Sequence, residues 1–379
     1  MRIGIIGNYG HDNNGDEAIL TGLIHQLILE KGIKKEDITV FSNNPENTRV
    51  RHGVYSVPLL YKKKSTLLSG IKTIIESRKV MRKLDLLIIG GGGLLMDMYV
   101  RDSPLYATLG LLGKWSGCRL AVHGVGAGPI NTKLGTFLIK RLIKAASVVS
   151  VRDEKSKALL QEKGIFKEIS VVYDPAFSVP TEKVHKKSSR ITKAAITALP
   201  YFSHQYWPVG DEQKYRAYVS DVASELDKII EEMNISLTFY STKFPEDVET
   251  TEDIAKHMKH GNKVTINRNN LSPQELVHIA ADQDVVIGTR LHSLILSMLA
   301  ETPVIGLEYH RKVADFMALT KNEKASIKIE DIADAENGLS AQIKRINKDW
   351  ENVQNQTAVM SRHLKEEAKR GMEILPVKQ

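Results

Sequence analysis

The sequence has one cysteine, Cys118, among its 379 residues, so it can form no internal disulfide and suits a reducing cytosol. A lone thiol can act as a nucleophile, but Cys118 reads first as a buried filler. No window holds the ~18 consecutive apolar residues needed to cross a bilayer. The opening Met1-Arg2-Ile3-Gly4-Ile5-Ile6-Gly7 turns polar too soon for a secretory leader. These absences predict a cytoplasmic protein, soluble or attached to a membrane only at its periphery. The G-x-G-x-x-G spacing and the P-loop pattern are both missing, which argues against a nicotinamide cofactor and against a nucleoside-triphosphate cradle. No G-x-S-x-G elbow supports serine acyl chemistry. His257 and His260, and His11 beside Asp12, lack an HExxH frame or cysteine partners, so they read as surface histidines and no metal is expected. Basic runs without interleaved aromatics, and no recognisable nucleic-acid module, argue against nucleic-acid binding.

Charge and hydrophobic patterning are informative. Lys plus Arg exceed Asp plus Glu by 53 − 45 = +8, which suits an anionic partner without naming one. Short β-rich apolar runs alternate with segments of helical period along most of the chain, the pattern of α/β domains with parallel sheets. In the first half, strands are predicted at 3–6, 38–41, 84–89, 119–125, 148–151 and 169–172, with helices at 16–31, 132–145 and 154–163. The alternation stops after Asp174-Pro175 and restarts at Ile191, beyond a connector rich in Lys and Ser. The predicted architecture is two Rossmann-like domains facing across a cleft, at 1–178 and 191–335, followed by a helical tail at 336–379.

Ligands of such sheets bind beyond the carboxyl ends of the strands, so the loops there are the place to look for chemistry. Gly7-Asn8-Tyr9-Gly10 leaves the first strand, and Asn14-Gly15-Asp16-Glu17 opens the first helix. The pair is either a docking point for a phosphate or a hydroxyl-rich ligand, or a tight capped turn. Gly90, Gly91, Gly92 and Gly93 follow the apolar strand 85–89, and four glycines in a row imply close approach of a ligand or of a second backbone. Asp97 either faces the cleft or is a solvated helix carboxylate. A third glycine series runs His123-Gly124-Val125-Gly126-Ala127-Gly128. Arg152 follows a strand and either meets an anion or pairs with Asp153. In the second half, Arg290 and His292 follow strand 285–287, while Tyr309 and Lys312 follow the next strand. Neighbouring parallel strands bring Lys312 toward His292, a proton carrier among cations suited to a carboxylate or phosphate.

Between Leu59 and Lys83, eight Lys or Arg residues accompany one acid, Glu76, and Leu67, Leu68, Ile71, Ile74 and Ile75 share a helical face. Such a helix can touch anionic lipid. The simpler expectation is that its apolar face packs on the sheet.

Taken in order, Gly7-Asn8-Tyr9-Gly10 with Asn14 to Leu20, Gly90 to Asp97, Ser150-Val151-Arg152-Asp153, Asp174-Pro175-Ala176, Arg290-Leu291-His292 and Tyr309-x-x-Lys312-Val313 resemble the polysaccharide pyruvyl transferases, with the secondary-cell-wall branch nearest. The resemblance runs from residue 1 to about 320. It implies a GT-B-like fold, with acceptor and donor sides on the first and second domains. It also implies transfer of an enolpyruvyl unit from phosphoenolpyruvate to a sugar of a bacterial cell-wall or extracellular polysaccharide precursor, leaving a ketal and phosphate. Phosphoenolpyruvate is then a substrate, and no cofactor is needed. The implied catalytic residues are Arg152, His292 and Lys312. Arg290, Asn14, Gly15, Asp16, Glu17, Gly91, Gly92 and Gly93 are candidates for substrate binding. His11-Asp12-Asn13 departs from the family pattern, and acceptor choice is the property this affects. A lipid-linked acceptor would give the 59–83 segment a membrane role. Two alternatives are a glycosyltransferase of the same fold using a nucleotide sugar, and a carbohydrate-binding protein without catalysis.

Overall fold

The computed structural model describes residues 1–98, 102–204, 207 and 209–377. The chain divides into two compact units, Met1–Pro180 with Leu364–Gln379, and Thr181–His363. The first unit runs β1 (Ile3–Ile6), α1 (Asn14–Leu29), β2 (Ile38–Ser42), α2 (Pro45–His52), β3 (Tyr55–Pro58), α3 (Thr66–Met81), β4 (Leu86–Gly90), α4 (Asp102–Trp115), β5 (Arg119–Val125), α5 (Lys133–Ala145), β6 (Val148–Val151), α6 (Glu154–Glu162) and β7 (Ser170–Val171). The second runs β8 (Lys193–Thr197), α7 (Glu212–Met233), β9 (Ser236–Phe239), α8 (Glu246–His257), β10 (Thr265–Ile266), α9 (Pro273–Ala281), β11 (Val285–Gly288), α10 (Leu291–Leu299), β12 (Val304–Glu308), α11 (Arg311–Leu319), β13 (Ser326–Lys328), α12 (Leu339–Lys348) and α13 (Trp350–Arg370), whose last turns return to the first unit.

Both sheets are parallel, ordered β3-β2-β1-β4-β5-β6-β7 and β10-β9-β8-β11-β12-β13. Each is a doubly wound α/β sheet with one reversal of strand order, at β1/β4 and at β8/β11. The expected fold class of two Rossmann-like units is therefore present. Strands buried on both faces read as continuous apolar runs, which is why β1, β4 and β5 are easily seen in the sequence. In the first unit Ile6, Leu87, Ile89 and Val122 point to the layer of α4 and α5, while Ile3, Ile5, Leu86 and Ile88 point to α1. Cys118 is buried with its thiol on the Met81 carbonyl, 3.1 Å away, and burial pushes its pKa up to about 11.

The segment expected to form a separate helical tail is divided between the two units. Leu339, Ile343, Ile346 and Trp350 close the core of the second, whereas Met372, Leu375 and Val377 fill the α1 side of the first. Gln26 of α1 ties this end down by donating to the Ala368 carbonyl at 2.8 Å. A short turn at Pro175–Ser178 also packs on α1, and a Cβ added at Gly22 would lie 1.8 Å from the Pro175 carbonyl oxygen. Neither backbone can give way without disturbing a core. Gly22→Ala is therefore expected to cost about 3 kcal/mol, seen as a lowered denaturation midpoint; an unchanged midpoint would contradict this contact.

Candidate active site

In the first unit, the loops after β1 and β4 lie on either side of the strand-order reversal, where open α/β sheets take their ligands. Hydrogen bonds brace the first of these loops and join it to the second. Tyr9 is buried, and its hydroxyl donates to the Gly90 carbonyl at 2.6 Å, linking the two loops. Asn13 caps α1 by accepting from the Gly15 N–H. Asp16 accepts from the side-chain amides of Asn8 (2.9 Å) and Asn13 (2.8 Å). Glu17, fully buried, accepts from the Gly10 N–H at 2.8 Å and lies 2.7 Å from the His52 Nε2. Arg51 donates to the Asn14 side-chain oxygen at 2.7 Å. The polar group Asn14, Asp16 and Glu17 thus forms a braced strand-to-helix turn.

The glycines have a similar origin. Gly91 adopts φ +72°, and a Cβ there would sit 2.0 Å from the Ile19 methyl; one at Gly92 would meet the Asp16 carboxylate at 3.2 Å. α1 itself is the close neighbour that the glycine run admits. Asp97 departs from both sequence expectations, since it lies in a loop rather than on a helix and is buried. It accepts from the Asn131 N–H, the Thr132 N–H and the Thr132 hydroxyl at 2.6–2.8 Å, which fixes the start of α5. Burial pushes its carboxyl up, but these hydrogen bonds outweigh that and hold it below the ordinary carboxylate range.

Arg152 leaves β6 and reaches back over the β5 loop, its guanidinium 3.0–3.2 Å from where a Cβ on Gly126 would stand. Gly126 is small because that space belongs to Arg152. The Arg152 side chain is 18% exposed, within 3.5 Å of Asp153 and 3.9 Å of Asp174. These contacts are looser than a bidentate pair, so the guanidinium retains donors for an incoming anion.

His123, beneath this loop, is buried with its Nδ1 hydrogen-bonded to Ser150. Burial lowers its pKa from 6.5 to about 4. The unfolded chain binds this proton between those pH values and the folded chain does not, so His123 makes stability fall as pH drops from about 6.5 toward 4. His123→Gln is expected to flatten that part of the stability–pH curve in denaturant titrations, and a curve of unchanged slope would refute it.

In the second unit, the loop after β11 stands at the reversal. The Thr289 hydroxyl donates to the Thr197 carbonyl, Thr197 donates to Ser293, and Ser293 donates to the Arg290 carbonyl, which pins the start of α10 to β8. Arg290, a candidate for substrate binding, is engaged by the fully buried Asp247 through Nη2 at 2.6 Å and Nε at 3.2 Å. Burial holds the Asp247 carboxyl above the ordinary carboxylate range, and the Arg290 guanidinium offsets part of that rise. The pair ties down the chain that leads into His292, which lies half-buried in the first turn of α10. Lys312 opens α11 after β12, the strand paired with β11, so His292 and Lys312 belong to adjacent strand-end loops. The Lys312 ammonium sits 5.4 Å from the centre of the Tyr309 ring.

Two features were not legible in the sequence. Asp247 lies 43 residues from Arg290 and carries no local signal. An aromatic group also gathers at the same edge, with Phe202 stacked on Trp207 at 4.9 Å and Tyr309 edge-on to Trp207 at 6.5 Å. The aromatic run beginning at Tyr201-Phe202, directly after a strand, was the available clue.

Comparison with known proteins bears on this arrangement. The family model for polysaccharide pyruvyl transferase matches residues 13–311. The chain belongs to the polysaccharide pyruvyl transferase family. It is therefore an enzyme of polysaccharide modification, and the site motifs from Asn13 to Arg311 lie within the match. The amylovoran biosynthesis protein AmsJ of Erwinia amylovora is 20% identical over 94% of this chain and 95% of its own length. Among solved structures, Anabaena HepE in complex with UDP-glucose aligns over 98% of both chains with a TM-score of 0.59 and 12% identity. A putative UDP-N-acetylglucosamine 2-epimerase from Listeria monocytogenes aligns over 98% of this chain and 93% of its own, with a TM-score of 0.64 and 12% identity. At that identity the structural likeness establishes the fold.

Removing the Asp247 carboxylate takes from Arg290 a fully buried counter-charge held at 2.6 Å. Asp247→Ala should lower stability by about 3 kcal/mol or more and reduce turnover through the displaced α10 start. Wild-type stability in chemical denaturation would exclude the pair as the anchor of this loop.

Proposed function

We propose that this pyruvyl transferase moves the enolpyruvyl unit of phosphoenolpyruvate onto a sugar of a bacterial cell-wall or extracellular polysaccharide precursor, forming a pyruvate ketal and releasing phosphate. The observation that carries this reading is the family match across residues 13–311, within which Arg152 and His292 each leave a strand end on a loop fixed by the protein's own hydrogen bonds. Lys312 follows directly after it on the next such loop.

Phosphoenolpyruvate resists attack by alcohols until C3 takes a proton, which makes C2 an oxocarbenium-like electrophile. His292 gives that proton or accepts the one leaving the sugar hydroxyl, either of which an imidazole can do. The first hydroxyl bonds to C2. A second hydroxyl of the same sugar then bonds to C2 as the C2–O bond to phosphate breaks, and its proton leaves with the phosphate. Arg152 and Lys312 bind the carboxylate and phosphate and offset the charge on the departing group. Arg290, held by Asp247, keeps the His292 loop in place. The acceptor is offered as a lipid-linked precursor on the cytoplasmic side.

A nucleotide-sugar glycosyltransferase is the second reading, supported by the fold likeness to a protein solved with UDP-glucose. The two separate in one assay. Purified protein offered phosphoenolpyruvate and a panel of cell-wall disaccharides should release phosphate only with the right acceptor, and His292→Ala should lower the rate about 10²–10⁴-fold without lowering the melting temperature. Near-normal turnover of that variant would remove His292 from the mechanism. Thermal stabilisation by a UDP-sugar, with none by phosphoenolpyruvate, would favour the glycosyltransferase.

A further inference from the structure

α3 faces the opposite way from an ordinary covering helix. Its side toward the protein carries Thr73, Ser77 and Met81, whereas Leu67, Leu68, Ile71, Ile74 and Ile75 are 42–74% exposed. At 100° per residue these five span an arc of about 120° on the outer side. The amphipathic pattern of the sequence is present, but the expectation that its apolar face packs on the sheet is not met. The inner face is tied down by the Thr73 hydroxyl, which accepts from the Tyr61 N–H at 2.9 Å, and by Met81, which enters the core of the first unit. Scattered exposed leucines need no explanation, but a continuous aliphatic stripe does.

The surroundings of the stripe select its partner. Lys62, Lys63 and Lys64 precede the helix and are exposed, as are Arg78, Lys79, Arg82 and Lys83 around its end. Glu76 is the one acid between residues 59 and 83, and it pairs with Lys79 at 3.0 Å. A second copy of the chain, docked by a twofold axis, would bring the same cations face to face. An anionic lipid surface complements both parts, with aliphatic side chains entering the acyl boundary and Lys and Arg meeting phosphates.

α5, in the same helical layer through α4, adds exposed Leu134 (60%) and Phe137 (52%), with the Arg141 guanidinium over the Phe137 ring. Both helices begin where a strand ends, so their apolar first turns lie toward the carboxyl edge of the sheet, the edge that carries the glycine loops. Among the described residues no helix is long and apolar enough to cross a membrane, so the contact is one of lying on the surface.

We propose that α3, supported by the first turns of α5, docks the first unit onto an anionic bilayer. The test uses the full chain and sedimentation with phosphatidylcholine vesicles, with and without phosphatidylglycerol. Wild-type protein should pellet with the anionic vesicles only, and less so as salt rises. The double variant Ile71→Glu, Ile75→Glu should bind at least roughly tenfold more weakly, and Lys62→Glu, Lys63→Glu, Lys64→Glu should lose the preference for phosphatidylglycerol. Melting temperatures should stay unchanged, because none of these side chains enters the core. Failure to pellet with anionic vesicles, or equal pelleting of the Ile71/Ile75 variant, would overturn the proposal. A dimer in light scattering that this variant abolishes would do the same and assign the face to a second copy. Since lipid binding is read without turnover, the outcome is independent of the reaction.

Discussion

Each sheet winds outward in two directions from a central pair of strands, and that topology forces the loops leaving the pair to diverge at the carboxyl edge. The rest of the molecule is arranged around this constraint. In the first unit Tyr9 ties one diverging loop to the other, while Asp16 and Glu17 brace the turn after β1. In the second, Thr197, Thr289 and Ser293 do the same for the start of α10. Reactive side chains can then be presented by backbone that costs little to hold in place at the moment of reaction, as preorganised catalysis requires.

The polar residues of these loops divide into two sorts. Asn14, Asp16, Glu17, Asp97 and Arg290 are each bonded to a defined neighbour, and the buried carboxylates among them are faced by N–H groups, a hydroxyl or a histidine. Arg152, His292 and Lys312 are each half-buried. The glycines follow the same division, since Gly91 gives room to Ile19, and Gly126 to the side chain of Arg152. A glycine loop at a strand end therefore reports closeness of some kind, and only the fold tells which neighbour is close.

That distinction marks how far the sequence could be read. Strands such as β1, β4 and β5 were legible because burial on both faces leaves an unbroken apolar run, and β1, β5 and β6 were placed to the residue. The strand-end positions of Arg152, His292 and Lys312 were legible from the strands that precede them. By contrast α2, β3, α11 and β13 are short and carry mixed patterns, so tertiary pairing decides them. The Asp247 to Arg290 pair is non-local, and no periodicity reports it. α3 is the most instructive difference: hydrophobic spacing discloses that a stripe exists, but its direction depends on which side of the helix offers the better fit, and here Thr73 and Ser77 lie inward.

The return of α13 to the first unit has a consequence for how the chain matures. Residues 1–180 leave the ribosome first, yet the apolar side of α1 is completed by Met372, Leu375 and Val377. Domains usually fold one after another during synthesis; here the domain made first stays unfinished until the second is complete. A message cut short before the codons for Met372 to Val377 would yield a first unit with an open apolar flank.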